Sequence, residues 1–119
     1  CMTGRVFDAE EARCGGLIRS VYPPENLMAA AHALAREIAD NTAPVSVALT
    51  RAMLWRLAAA DHPMEAHKID SRAIYRLSRA GDAAEGIASF LEKRAPAYPG
   101  RVSADMPDFY PWWDKRPYA

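Results

Sequence analysis

Several features that mark common classes of protein are absent or scarce in this chain of 119 residues. No uncharged apolar run approaches the roughly 20 residues that a transmembrane helix needs. No charge predominates, because 15 lysines and arginines balance 15 aspartates and glutamates. A neutral chain lacks the electrostatic footprint of a protein that binds nucleic acid or an anionic membrane surface. We therefore expect neither nucleic acid nor a membrane among its partners.

Cysteine is also scarce, since only Cys1 and Cys14 occur. Two cysteines do not form a disulfide framework, and Cys14 fits a small, buried apolar residue in a helix. Residues 1–13 are polar and charged, so we expect no secretory signal there and predict a cytoplasmic protein with reduced thiols. The chain begins with cysteine and not methionine, which raises the hypothesis that it is a fragment of a longer protein.

Hydrophobic periodicity predicts a mostly α-helical chain of about five helices. The predicted helices begin at Asp8, Pro24, Pro44, Asp61 and Asp82, and Gly15-Gly16, Asn41, Gly81 and Pro96 are stop signals. Residues 8–11 and 82–85 resemble capping boxes, in which a first acidic side chain caps the helix. Residues 17–21 fit a short extended segment between the first two helices.

Apolar residues recur at helical spacing on four of these segments. The predicted stripes are Leu27, Ala31, Leu34 and Ile38; Leu49, Met53 and Leu57; Ala66, Ile69, Ala73, Ile74 and Leu77; and Ile87, Phe90 and Leu91. We expect the last group to face inward.

The tail differs from the rest of the chain. Residues 96–119 hold five prolines and six of the eleven aromatic residues. Such proline density excludes a regular helix or a central strand, while the aromatic content is too high for a freely solvated segment. We predict a helical domain at residues 1–95 and an extended tail at 96–119, which lies either on the chain's own surface or on a neighbouring subunit.

Motifs for catalysis and metal binding are missing. No serine lies in a nucleophile elbow, and no glycine-rich loop joins a strand to a helix. His62 and His67 are five residues apart, which turns them about 140° from each other on a helix, so they cannot share one metal ion. We predict neither a catalytic residue nor a metal site.

Residues 90–94 allow two interpretations. In the simpler one Phe90 fills a core, and Lys93 and Arg94 end a helix, where cations are favoured by about 0.3–1 kcal/mol. In the other, the aromatic face and the cation one turn away meet an anionic ligand that carries a ring. Spacing alone favours the simpler interpretation.

Three segments together resemble the C-terminal part of the crotonase superfamily, the enoyl-CoA hydratases and isomerases. Residues 3–21 contain Thr-Gly, Ala-Glu-Glu-Ala and Gly-Leu-Ile, and residues 43–52 resemble the family's helix after a proline break, with Arg51 in place of a more usual lysine. Residues 82–96 resemble its closing signature, with Glu-Gly, Phe and Glu-Lys-Arg. The three segments occur in the family's order and cover residues 3 to about 100.

The resemblance implies an enzyme that acts on acyl-CoA thioesters, as in fatty acid metabolism, with no tightly bound cofactor. In the family, an upstream α/β core holds the CoA pocket, the oxyanion hole and the acid–base glutamates. None of that core lies in these 119 residues. No catalytic residue can be carried over, and the chain alone is expected to be inactive. Which reaction of the family and which acyl chain are involved stays open.

The resemblance also implies binding roles and partners. In relatives, the residues at Phe90 and Lys93 approach CoA on a neighbouring subunit, and a position that falls on Ile74 lines the acyl end, although it is often aromatic there. The helices resemble a trimerisation segment, so the expected partners are the missing N-terminal core and copies in a trimer or hexamer. The alternative is a non-catalytic helical interaction module whose aromatic tail docks a partner.

Overall fold

The structure is a computed structural model that describes residues 2–115 and 117, and this part of the chain contains five helices and no strand. The helices are α1 (Ala9–Cys14), α2 (Pro24–Asn41), α3 (Pro44–Leu57), α4 (Pro63–Leu77) and α5 (Gly81–Glu92). The prediction of a mostly α-helical chain with five helices is confirmed. Over the same residues, no helix is both long and apolar enough to span a membrane. The chain forms two compact units, residues 1–37 and 38–119.

In the first unit, α1 begins as its sequence predicts. The N–H of Glu11 donates to Asp8 Oδ1 at 2.8 Å, so Asp8 is the N-cap. Gly16, at φ +75°, has the left-handed conformation that glycine adopts without steric cost and that commonly follows a helix. The prediction that Cys14 is buried is wrong. The short helix buries only Ala12, and Cys14 lies on its exposed side.

Helix α2 has the predicted apolar stripe but buries no residue of it. Leu27, Leu34 and Ile38 are 51%, 39% and 48% exposed. The periodicity therefore predicted the helix correctly. The stripe forms an apolar surface, of the kind that proteins cover with another packed element.

The core of the second unit lies between α3 and α4. Val45, Leu49 and Ala73 are buried, and Leu77 packs against them. Met53 and Leu57, which share the predicted stripe with Leu49, are partly buried. Leu49 and Ala73 thus lie on the core side of their helices, as their spacing predicts.

The tail packs on this core, and so lies on the chain's own surface, the first of the two possibilities that the sequence left open. Met106, Phe109 and Trp112 contact the cluster of α3 and α4, and Pro107 is fully buried. Its rings therefore pack on the chain's own helices. The boundary between residues 95 and 96 stays a prediction, although the tail and the helices it contacts belong to one compact unit.

Helix α5 corrects one sequence-based expectation. Ile87, Phe90 and Leu91, predicted to face inward, are 64%, 81% and 72% exposed. The buried residues of α5 are instead Asp82 and Ser89. The polar and small face of the helix receives the tail, so the apolar face points away from it.

We predict that Leu49→Ala destabilises the protein by about 2–5 kcal/mol, because it leaves a cavity where a side chain only 1% exposed had packed. Urea unfolding followed by circular dichroism measures this change. Leu54→Ala is the matched control on the same helix. Leu54 is 69% exposed, so its truncation should change the stability by no more than about 0.5 kcal/mol. Equal losses from both variants would contradict the assigned core.

Candidate functional site

The two carboxylates at the start of α5 do not form the predicted capping box. The helix follows Ala80 without a side-chain cap. Asp82 Oδ1 instead accepts a hydrogen bond from the N–H of Gly100 at 2.7 Å, and Glu85 Oε1 accepts one from the N–H of Ala97 at 2.6 Å. The capping prediction is therefore wrong, because these carboxylates bind backbone donors of the tail and not those of their own helix.

Glu85 also holds the end of α5 through Arg94. The guanidinium forms two parallel bonds, Nη1 to Oε1 at 2.5 Å and Nη2 to Oε2 at 2.9 Å. Bidentate geometry of this kind is the strongest arrangement of an arginine and a carboxylate. Hydrogen bonds from Arg94, and then from the N–H of Ala97, lower the pKa of Glu85 from 4.5 to about 2. The same pairing, followed by the one with Glu92, raises the pKa of Arg94.

Lys93 ends α5 in an unusual backbone conformation. Its φ of 53° and ψ of 40° are left-handed, and it is the one residue other than glycine with positive φ among those described. The N–H of Lys93 donates to the carbonyl of Phe90 at 3.3 Å, and the N–H of Arg94 donates to that of Ser89 at 3.1 Å. These two bonds define a Schellman cap, where glycine is the usual residue.

The Lys93 ammonium is available to another molecule. Within residues 2–115 and 117 it forms no hydrogen bond or ion pair, whereas neighbouring Arg94 is held by two carboxylates. Phe90, three residues earlier, is 81% exposed. The end of α5 therefore carries an exposed aromatic ring and, three residues later, a cation without a partner among the described residues, and both are accessible to another molecule.

Ile74 lies in a different place. It is 61% exposed on α4 and borders a groove of about 430 Å³, together with Met53 and, from the start of α5, Ala83. Phe90 comes seven residues after Ala83, which corresponds to about 10 Å along a helix. Phe90 and Lys93 thus lie at the C-terminal end of α5, whereas Ile74 lies near the start of that helix.

His62 and His67 lie at different positions of α4, one before the helix and one within it. His62 is the N-cap of α4, and its Nδ1 accepts the N–H of Met64 at 3.1 Å. His67 lies inside the helix. Over the described part of the chain, no group of three or more histidine, cysteine, aspartate or glutamate residues could hold a metal ion.

Sequence reasoning missed the residues that attach the tail. Asp82 and Gly100 are 18 residues apart, and Glu85 and Ala97 are 12 apart. Both separations are too long for a contact within one helix or turn, so no local pattern predicts them. One feature of the sequence could have indicated such anchors. The tail is rich in proline and forms no regular structure, so its backbone N–H groups need acceptors elsewhere.

Comparison with known proteins supplies the class to which these features belong. The profile of the enoyl-CoA hydratase/isomerase family matches residues 1–101. An enoyl-CoA hydratase of Alternaria alternata is 36% identical over 97 residues, and carnitinyl-CoA dehydratase of Salmonella typhi is 35% identical over 112 residues. These matches cover 81% and 84% of the chain.

A solved structure agrees with the sequence matches. A protein of Mycobacterium abscessus, described as a probable enoyl-CoA hydratase/isomerase, superposes with a TM-score of 0.78 at 34% identity over 84% of the chain. The chain therefore belongs to the enoyl-CoA hydratase/isomerase family of the crotonase superfamily. It spans between 32% and 39% of the length of these three relatives.

Because the folded-state pKa of Glu85 lies below its ordinary value, its pairing stabilises the protein above about pH 4.5. That stabilisation is lost as the pH falls towards about 2. We predict that Glu85→Gln lowers stability at neutral pH and flattens its decline between these two values. Thermal unfolding across the acidic range measures both effects. Glu65→Gln, which removes an exposed pairing with Lys68 inside α4, is the control. An unchanged acid profile in Glu85→Gln would refute the assignment.

Proposed function

We propose that the chain is the C-terminal oligomerisation and CoA-covering segment of an enoyl-CoA hydratase/isomerase that acts on acyl-CoA thioesters in the cytoplasm. In this proposal, Phe90 and Lys93 contact CoA bound to a neighbouring subunit. The catalytic core lies outside these 119 residues, and no residue of the chain is catalytic. The relatives' names, enoyl-CoA hydratase and carnitinyl-CoA dehydratase, support acyl-CoA as the substrate class. The proposal includes no tightly bound cofactor.

The exposed pair at the end of α5 is the observation that carries this proposal. An unpaired ammonium and a ring 81% exposed suit a ligand that has both phosphates and a flat base. Lys93 would donate charge-assisted hydrogen bonds to a phosphate, and Phe90 would pack against the ring. A contact at such exposure contributes on the order of 1 kcal/mol.

The exposed apolar surfaces support the proposed assembly. Ile87 and Leu91 lie beside Phe90 on α5 and are more than 60% exposed, and the stripe of α2 is also uncovered. Contiguous apolar surface of this kind marks an interaction site. We propose that these surfaces are buried against the missing core and against copies of the chain, in a trimer or a pair of trimers.

Ile74 has weaker support as a residue of the acyl end. It borders a largely apolar groove, with Met53 and Leu49 among the lining residues. An isoleucine offers less surface for stacking than the aromatic residue of some relatives. We therefore propose Ile74 only as an apolar wall, with no orienting role.

The alternative function, a non-catalytic helical interaction module, is no longer supported by the aromatic tail. It rested on tail aromatics that would dock a partner, but Phe109 and Trp112 pack on α3 and α4 of the same chain. The exposed surfaces of α2 and α5 remain compatible with any apolar partner. The ordered match to the enoyl-CoA hydratase/isomerase family favours the first proposal.

Lys93→Ala, made in the complete enzyme, should raise the KM for an acyl-CoA substrate about fivefold and leave kcat unchanged, because a contact worth about 1 kcal/mol in both ground and transition states affects only binding. Steady-state kinetics measure both constants. Lys68→Ala, which removes a surface lysine paired with Glu65, is the control and should change neither.

Lys93→Gly separates the charge from the cap in the same assay. Glycine adopts the left-handed conformation without the cost of about 1–2 kcal/mol that other residues bear, so this variant should be at least as stable as the parent. It lacks the ammonium, so its KM should rise as much as that of Lys93→Ala. A lost kcat, or a KM that rises only in the less stable variant, would refute the CoA contact.

The chain by itself should not turn over crotonyl-CoA, because neither an oxyanion hole nor an acid–base pair has been identified in it. Purified protein, assayed for loss of the enoyl thioester absorbance, tests this expectation, and a complete family member serves as the positive control. Appreciable turnover that persists after further purification would show that catalytic residues lie within these 119 residues.

A further inference from the structure

The root of the tail is fixed to α5 at two points that flank a single aromatic residue. Glu85 holds Ala97 and Asp82 holds Gly100, with donor–acceptor distances of 2.6 and 2.7 Å. Tyr98 lies between these two anchors and is half-buried. Since Asp82 is only 8% exposed, its bond to Gly100 is shielded from competing water.

Gly100 leaves no room for a larger residue unless the Asp82 carboxylate moves. A Cβ added to Gly100 would lie 2.9 Å from Asp82 Cγ and closer still to Oδ2. Gly86, in the middle of α5, also faces the tail, but a Cβ there would lie 3.6 Å from the Tyr98 hydroxyl, an ordinary contact. The fit is therefore tight at the carboxylate and relaxed one turn further along the helix.

Beyond its root, the tail covers the core of α3 and α4. Met106, Phe109 and Trp112 pack on the buried cluster. Two arginines of the helices lie over tail rings, Arg72 over Phe109 and Arg56 over Trp113, each 4.4 Å from the ring centre. Both arginines are exposed, and a cation–π pair at an exposed site contributes about 0.5–1 kcal/mol.

We propose that residues 96–113 form an intramolecular strap that Asp82 and Glu85 fasten at its root, and that this strap opens as a unit while α3 and α4 stay folded. The helices satisfy their backbone hydrogen bonds internally. The strap forms only isolated turns of its own, such as those that link Asp105 to Arg101 and Tyr110 to Pro107, and at its root it bonds to acceptors on α5. Opening would expose Val45, Leu49 and Ala73, so the strap controls how much apolar surface this unit presents.

Hydrogen exchange of the full chain, resolved by mass spectrometry, tests the strap directly. In Gly100→Ala the added methyl group displaces Asp82, so segments covering residues 97–110 should exchange about tenfold faster or more. Segments of α3 should keep the protection they have in the parent. Gly86→Ala is the matched control and should leave the strap protected, since its methyl group meets only an ordinary contact.

Asp82→Asn provides a milder variant in case Gly100→Ala does not fold. It keeps an acceptor oxygen near Gly100 but loses the charge, so exchange in residues 97–110 should rise by less than in Gly100→Ala and α3 should be unaffected. Two results would overturn the proposal. One is an unchanged strap in both variants, which would show that Asp82 does not fasten it. The other is loss of protection in α3 together with the strap, which would show a single cooperative unit.

Discussion

The hydrogen bonds from the tail backbone to Asp82 and Glu85 are the contacts on which the position of the tail in the second unit depends. A segment rich in proline has few backbone donors and no regular structure to satisfy them. Two carboxylates on one face of α5 supply acceptors for the N–H groups of Ala97 and Gly100. Once these are fixed, the following residues are directed across α3 and α4, where Phe109 reaches the core.

The same bonds determine which side of α5 is exposed. Because the face that carries Asp82 receives the tail, the side of the helix that carries Ile87, Phe90 and Leu91 is left uncovered. The proposed contact with CoA therefore follows from how the tail is attached. The bidentate pair of Glu85 and Arg94 occupies the arginine, whereas the adjacent Lys93 has no ion-pair partner within the part of the chain that the structure describes.

Local signals account for the parts of the fold that the sequence predicted. Asp8 caps α1 and Pro44 begins α3, because capping and the fixed φ of proline depend on a few adjacent residues. Periodicity located the apolar stripe of α2 for the same reason. It could not tell which stripe is buried, since that depends on neighbours in space. Leu49 is covered, whereas Ile87 is not.

The candidate site was predicted by a different route. Phe90, Lys93 and Ile74 came from resemblance to a family, and spacing alone favoured a core phenylalanine at the helix end. Phe90 is 81% exposed, so it does not fill the core of this chain, and its contact with CoA stays a prediction. Asp82 and Glu85 could not be recognised as anchors, because their partners lie 18 and 12 residues away and their own spacing imitates a capping box.

The backbone of Lys93 bears on whether its side chain has a role. A residue with a Cβ in the left-handed region costs about 1–2 kcal/mol, and glycine would remove that cost at this Schellman cap. Packing does not explain the lysine, because its side chain is exposed. Functional sites often keep a residue whose backbone conformation costs more free energy than that of the best alternative. The left-handed conformation also ends the helix at Lys93, three residues after the exposed Phe90.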